Sequence, residues 1–127
     1  MHYDLLVRIK NAELARKEST SAPYSRANFA LAKILENAGY IGDVQKKNVG
    51  KKSFLEFKLR YHEEYRPALT GFKIMSKPGR RMYRSAKELI PIRQNYGIAV
   101  ISTSAGLLTN REAKKRKIGG EYLLEVW

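Results

Sequence analysis

The sequence predicts an α+β fold, with a first half running helix, strand, helix, hairpin and a second half that is mostly β with one short helix. Three patterns carry this. Apolar residues recur at helical spacing near the N-terminus and again from about residue 26 to 38. Residues 53 to 61 alternate strictly between apolar and polar. Beyond residue 69 the apolar runs are short and are broken by Gly, Pro and Ser.

Leu5, Leu6, Ile9 and Ala12 share one face of a helix expected over 4–16, with Asp4 at its positive end. Residues 18–22 (Glu-Ser-Thr-Ser-Ala) are polar and short, as an edge strand is. Ser25 is the expected N-cap of the second helix. Its buried stripe is Ala27, Leu31, Ile34, Leu35 and Ala38, and Gly39 is its left-handed stop. A strand over 40–47 and a turn at Asn48-Val49-Gly50 lead into the alternating strand. There Leu55, Phe57, Leu59 and Tyr61 face inward, and Glu56, Lys58 and Arg60 face outward.

In the second half, residues 69–75 are extended. Ser76-Lys77-Pro78-Gly79 reads as a turn, with Pro78 and Gly79 central in a type II geometry. A strand over 80–84 follows. Residues 87–94 form a connector, because Pro91 forbids a continuous helix. Ile98 to Ile101 is a strand buried on both faces, broken by residues 102–106, with a return strand from Leu107. Thr109 and Glu112 form a capping box that opens a short helix to Lys117. Gly119-Gly120 turns the chain into a last strand over 121–127.

Charge narrows the function. The net charge is +13, and 43% of the 127 residues are hydrophobic, so a cationic surface coexists with a core. Residues 1–72 hold thirteen Lys/Arg against eight Asp/Glu; residues 73–117 hold twelve against two; the last ten hold two acids and no base. Such crowding repels itself until a polyanion neutralises it, and nucleic acid is the commonest one. An anionic membrane would favour a long amphipathic helix with lysines along one face, and the sequence has none. No apolar run approaches the roughly eighteen residues of a membrane span. The start lacks an apolar export core, so the expected location is cytoplasmic. With no cysteine there is no disulfide, thiolate metal site or thiol nucleophile. His2 and His62 are isolated, and no spacing suits a metal or a cofactor.

Three segments stand out as candidate sites. Ser102, Thr103, Ser104 and Gly106 combine hydroxyl donors with little bulk, which lets a partner's backbone approach; the alternative is a polar turn without a ligand. A nucleophilic serine would need a neighbouring base, and none is in sight. Arg111, Lys114 and Lys115 lie on a helix whose only apolar residue is Ala113. They suit phosphate contact, or simply the negative end of the helix dipole. Lys77, Arg80 and Arg81 surround a rigid turn beside Tyr83, where Arg grips phosphate and Tyr stacks on a base, unless that ring packs on the core. Glu121, after Gly120, balances local charge or accepts from a base edge.

These segments resemble the bacterial small-subunit ribosomal protein eight family. The likeness is carried by Gly97 to Lys115 (Gly-Ile-Ala-Val-Ile-Ser-Thr-Ser-Ala-Gly-Leu-Leu-Thr-Asn-Arg-Glu-Ala-Lys-Lys), Gly119-Gly-Glu, Val126-Trp127 and Lys77-Pro-Gly-Arg-Arg-Met-Tyr. Arg8-Ile-Lys-Asn-Ala and Gly39-Tyr-Ile extend it to nearly the whole chain. The resemblance implies two small packed α/β domains, 1–66 and 67–127. It implies a non-enzymatic constituent of the small ribosomal subunit that binds small-subunit rRNA in its central domain and organises assembly. The second domain makes most of that contact, through Ser102, Thr103, Ser104, Gly106, Gly120 and Glu121 and through the Lys77 to Tyr83 segment. Implied partners are small-subunit proteins five and seventeen and the chain's own messenger RNA, with a monomer when free. Three departures stand out. The family's Asp-Pro-Ile stretch before the first helix is missing. Ala105 stands where Lys is common, and Arg116-Lys117 where Leu-Gly is frequent. From charge alone, the competing reading is an architectural protein that binds DNA without sequence preference.

Overall fold

The computed structural model describes residues 2–61, 68–92 and 97–127. His62, the 66/67 boundary and residues 93 and 94 of the connector lie outside them. Two compact units emerge, Met1–Leu69 and Thr70–Trp127.

The first unit contains α1 (His2–Leu14), β1 (Ser19–Pro23), α2 (Arg26–Asn37), β2 (Ile41–Val49) and β3 (Lys52–Leu59). Its antiparallel sheet has the order β1-β3-β2, so β1 is the expected edge strand. Leu5, Leu6 and Ile9 of α1, Leu31 and Leu35 of α2, and Leu55 and Phe57 of β3 are almost wholly buried. Asp4 pairs with Arg8 one turn on, at 3.1 Å. Helix α1 stops at Leu14 rather than Arg16, because Arg16 takes a left-handed conformation with φ 55°. Ser25 caps α2 as expected, its Oγ accepting from the Asn28 amide at 3.0 Å. Gly39 follows the helix with φ +88°.

The buried face of α2 is turned from the predicted one. Asn28, Leu31, Ala32 and Leu35 are inside, Ile34 is half-buried, and Ala27 and Ala38 are exposed. Asn28 is held inward by donating to Pro23 O at 3.0 Å. The hairpin turn also lies later than predicted. Asn48 and Val49 still pair with Ser53 and Lys52, so the chain reverses at Gly50-Lys51. β3 ends at Leu59; Tyr61 is half-buried and its hydroxyl donates to Lys17 O at 2.6 Å.

The second unit contains β4 (Phe72–Ile74), β5 (Tyr83–Arg84), a 3₁₀ turn (Ala86–Glu88), β6 (Ile98–Thr103), β7 (Gly106–Thr109), α3 (Asn110–Arg116) and β8 (Gly120–Val126). The sheet runs β4-β8-β6-β7, and β5 also pairs with β8. Ala99, Val100 and Ile101 are all fully buried, as their continuous apolar run requires. Leu89, Ile92, Ala99, Ile101, Leu108, Ala113 and Tyr122 form one core cluster, with Met75 and Met82 against it.

Local differences from the prediction have identifiable causes. Met75 and Ser76 both donate to Leu123 O (2.9 and 3.1 Å), which holds the chain on β8 through residue 76. The turn therefore closes between Lys77 and Arg80, which exchange two backbone bonds of 3.0 and 2.9 Å. Gly79 lacks the positive φ that a type II turn needs. Only Tyr83 and Arg84 of the predicted 80–84 strand pair with β8. Ser102 and Thr103 continue β6, leaving Ser104 and Ala105 as the whole of the turn. Of the predicted capping box at α3, the hydroxyl half forms: Thr109 Oγ1 accepts from the Glu112 amide at 3.1 Å.

Lys117 ends α3 in a left-handed conformation, φ 58° and ψ 39°. A side chain there opposes the backbone by about 1 kcal/mol, and glycine removes the conflict. Lys117→Gly is therefore expected to raise the stability of the second unit by about 0.5–1 kcal/mol. Urea unfolding followed by the fluorescence of Trp127, the only tryptophan, checks this. A fall in stability would show that the Lys117 side chain contributes more than its backbone costs.

Candidate nucleic-acid interface

Strand register assembles residues that are far apart in sequence. Tyr83 of β5 stands opposite Glu121 of β8, and Glu121 stands opposite Ser102 of β6. Cross-strand partners share a face, so these three form one row across the sheet. Tyr83 is 65% exposed, which excludes the core-packed alternative.

Glu121 organises the row's surroundings. Its Oε2 accepts from Ser76 Oγ and from Arg81 Nη1, the latter at 3.2 Å. Ser76 is buried, and its Oγ in turn accepts from the Met82 amide at 3.3 Å. The acid thus ties both ends of the basic turn to β8. Arg81 is partly neutralised by this pair. Lys77 and Arg80 stand exposed at the turn's two corners.

Beyond Ser102 lies the β6–β7 hairpin tip, where the three hydroxyls differ. Thr103 Oγ1 donates to Gly106 O at 2.7 Å and accepts from the Ala105 amide at 3.1 Å. Its proton is therefore committed to holding the turn. Ser102 and Ser104 make no side-chain hydrogen bond among the described residues, so theirs are the available donors. Gly106 has φ +98°, and open space surrounds the position a Cβ would occupy. Gly120 has the opposite setting: a Cβ there would run into the Ser102 carbonyl.

Helix α3 presents Arg111, Lys114 and Lys115 to solvent. Lys114 Nζ donates to Leu89 O at 3.0 Å. The helix start is fixed by Asn110, whose Oδ1 accepts from the Ala99 amide (3.2 Å) and whose Nδ2 donates to Ile90 O (2.9 Å). Two shallow clefts flank the helix. One is lined by Ile90, Pro91, Arg111 and Lys115, the other by Ser85, Lys87 and Lys117, and Lys114 borders both. No hydrogen bond or ion pair joins the α3 cations to the Tyr83–Glu121–Ser102 row among the described residues.

Two parts of this arrangement have no local signal. Ser76 and Asn110 are short polar residues whose partners lie 45 and 11–20 residues away. Lys87 and Lys117 join the cleft only because the 3₁₀ turn packs on α3. Among the described residues no cluster of three or more His, Cys, Asp or Glu could hold a metal ion.

The ribosomal protein S8 family model matches residues 3–127. Small ribosomal subunit protein uS8 of Nostoc punctiforme is 42% identical over 98% of this chain and 94% of its own length. That of Thermosynechococcus vestitus is 43% identical over the same shares, and that of Persephonella marina is 41% identical over 98% and 95%. These relatives are components of the ribosome, which in bacteria lies in the cytoplasm. With a match along nearly its whole length, the chain belongs to the ribosomal protein S8 family, whose members are structural, non-enzymatic constituents of the small ribosomal subunit.

Proposed function

We propose that the chain binds small-subunit rRNA directly through its second unit and helps organise the central domain of the subunit. The row of Tyr83, Glu121 and Ser102 carries this reading. It joins an exposed ring, a clamped basic turn and free hydroxyls on one rigid sheet. An irregular RNA core offers what such a row meets: an unstacked base for Tyr83 and closely approaching backbone for Ser102, Ser104 and Gly106. The cations of the turn and of α3 supply affinity by neutralising phosphates, and the hydroxyls supply selectivity through direction.

The two kinds of contact should fail differently. If about six phosphates are neutralised, log affinity falls against log salt with a slope of roughly −4 to −5. Lys77→Ala with Arg80→Ala is expected to weaken specific and non-specific RNA alike. It should also shrink that slope by about one unit for each phosphate no longer neutralised. Ser102→Ala with Ser104→Ala is expected to cost about 1–3 kcal/mol for the cognate stem alone, with the slope unchanged. Thr103 is kept intact, since its removal would loosen the turn itself. Filter binding to the central-domain stem and to random duplex DNA, across a salt series, reads both effects. A parental slope near −1, or equal affinity for the DNA, would overturn the proposal.

A further inference from the structure

Lys117 keeps a side chain where the backbone disfavours one. Its left-handed conformation costs about 1 kcal/mol that glycine would avoid. A strained residue that persists points to a use for its side chain. Lys117, Lys114 and Lys87 border one cleft between α3 and the 3₁₀ turn, together with Ser85 and Ala86. All three lysines are exposed, and no acid lines the cleft. Lys87 and Lys117 make no side-chain hydrogen bond or ion pair among the described residues. Like charges gathered around a cleft favour an anion between them.

Ser85 offers a covalent attachment point for that anion. It is exposed, and its backbone is extended, with φ −77° and ψ 164°. Arg80, Arg81 and Arg84 precede it and Lys87 follows. An extended serine with cations on both sides complements the acidic substrate groove of a kinase that selects basic sequences. The strand before it is only Tyr83–Arg84 and pairs with β8 alone, so little pairing has to be lifted to present the segment. Glu88 is the one acid beside it. Its Oε1 accepts from the Ser85 amide at 2.9 Å, and that amide, together with the Ser85 hydroxyl, holds its carboxyl below the usual range. A phosphate on the same hydroxyl sets about two negative charges against Glu88 and displaces it, while the lysines attract the new group. The start of the 3₁₀ turn thus has two alternative partners, one used now and one created by modification.

We propose that Ser85 is a phosphorylation site and that the cleft of Lys87, Lys114 and Lys117 receives the phosphate. A protein kinase acting with ATP supplies the group. Ser85 Oγ attacks the γ-phosphorus, and the Oγ–P bond forms as the bond from that phosphorus to the bridging oxygen breaks. ADP leaves, and the kinase's base takes the hydroxyl proton. The phosphate brings about −1.5 to −2 charge and occupies amines that otherwise meet RNA backbone. Modification therefore lowers affinity for rRNA while leaving the Tyr83–Glu121–Ser102 row as it is. This regulatory consequence rests on the rRNA-binding reading, whereas the fit of the phosphate to the cleft does not.

The test uses the full chain with phosphoserine installed at position 85 during synthesis. Titration by phosphorus NMR is expected to place the second phosphate pKa about one unit below the roughly 6 of free phosphoserine, because nearby amines favour the dianion. Lys87→Gln with Lys117→Gln in the same chain should return it toward 6. Filter binding of the central-domain stem is expected to be about tenfold weaker than for the unmodified chain, with a salt slope smaller by about two units. The catalytic domain of protein kinase C with ATP should phosphorylate the parent at Ser85, read by peptide mass spectrometry. Ser85→Ala should lose that incorporation and bind the stem within about twofold of the parent. The proposal is overturned if the phosphate titrates near 6 and ignores the lysine variants, or if the kinase leaves Ser85 unmodified. It is equally overturned if the installed phosphate leaves stem affinity unchanged while the unmodified chain shows a steep salt slope. A slope near −1 in the unmodified chain is instead the failure of the rRNA-binding reading, and the phosphorus titration still decides whether the cleft takes the phosphate.

Discussion

Gly120→Ala is expected to destabilise the second unit by about 3 kcal/mol or more. Gly120 lies in β8 between two neighbours, opposite Arg84 of β5 and beside the end of β6. A methyl group there would meet the Ser102 carbonyl oxygen well inside contact distance, and Ile101 Cγ2 at 3.3 Å. That oxygen belongs to the backbone of β6, so relief requires parting two strands rather than rotating a side chain. Gly119 is under similar constraint, with Arg84 O 2.5 Å from the place of its Cβ. Gly79 supplies the control: nothing lies within 4 Å and its φ is ordinary, so Gly79→Ala should stay within about 0.5 kcal/mol of the parent. Urea unfolding followed by Trp127 fluorescence measures both. Equal midpoints for the two variants would show that β8 yields at this point. The Gly-Gly-Glu run thus has a packing reason as well as any role toward a ligand.

The second large effect concerns Glu13. It is 3% exposed, and neither carboxylate oxygen has a hydrogen-bond partner among the described residues. Burial raises its pKa from 4.5 to about 7, against the opposing charge of Lys10. The folded state therefore holds this proton more tightly than the unfolded chain does. The group's contribution is complete below pH about 4.5, falls as pH rises toward about 7, and is gone above. The interval corresponds to about 3.5 kcal/mol at most, using about 1.4 kcal/mol per unit. Glu13→Gln keeps the shape and cannot ionise. It is expected to be more stable than the parent by about 1–3 kcal/mol at pH 8, and by only a few tenths at pH 4.5. Glu36 and Glu88 are shifted the other way, Glu36 chiefly by the Val44 amide and Glu88 by the Ser85 amide. Their titration is common to both proteins and cancels in the comparison. Far-ultraviolet circular dichroism suits the measurement, since the 13- and 12-residue helices are both in the first unit. A difference independent of pH would remove ionisation as the cause.

Local rules carry most of the fold. Ser25 announces α2 because a cap is read from its own neighbourhood, and the alternation through Leu55, Phe57 and Leu59 declares which face of β3 is inside. What escapes them depends on partners remote in sequence. Asn28 and Asn110 look like surface residues until their backbone partners, Pro23 O and Ile90 O, are in view. The turn over 77–80 is displaced from its predicted place because nothing near Ser76 reveals its hold on Leu123 and Glu121. In the candidate site, the residue types are legible and their division of labour is not. Three adjacent hydroxyls look equivalent in sequence, yet Thr103 braces the turn while Ser102 and Ser104 are unengaged.

The place of β8 has a consequence for the time at which the second unit becomes a structure. β4 and β5 pair with no other strand of the sheet, and β6 has otherwise only β7. A chain grows from its N-terminus, so β8 is the last of these strands to be made. From Thr109 to Val126 is about 17 residues, or roughly one to three seconds of synthesis at about 5–20 residues per second. During that interval the apolar run of Ala99, Val100 and Ile101 is made and its main partner is not. The strands of the first unit are complete at Leu59 and wait for nothing later. Nascent chains should therefore acquire the first sheet during elongation and the second in one late closure.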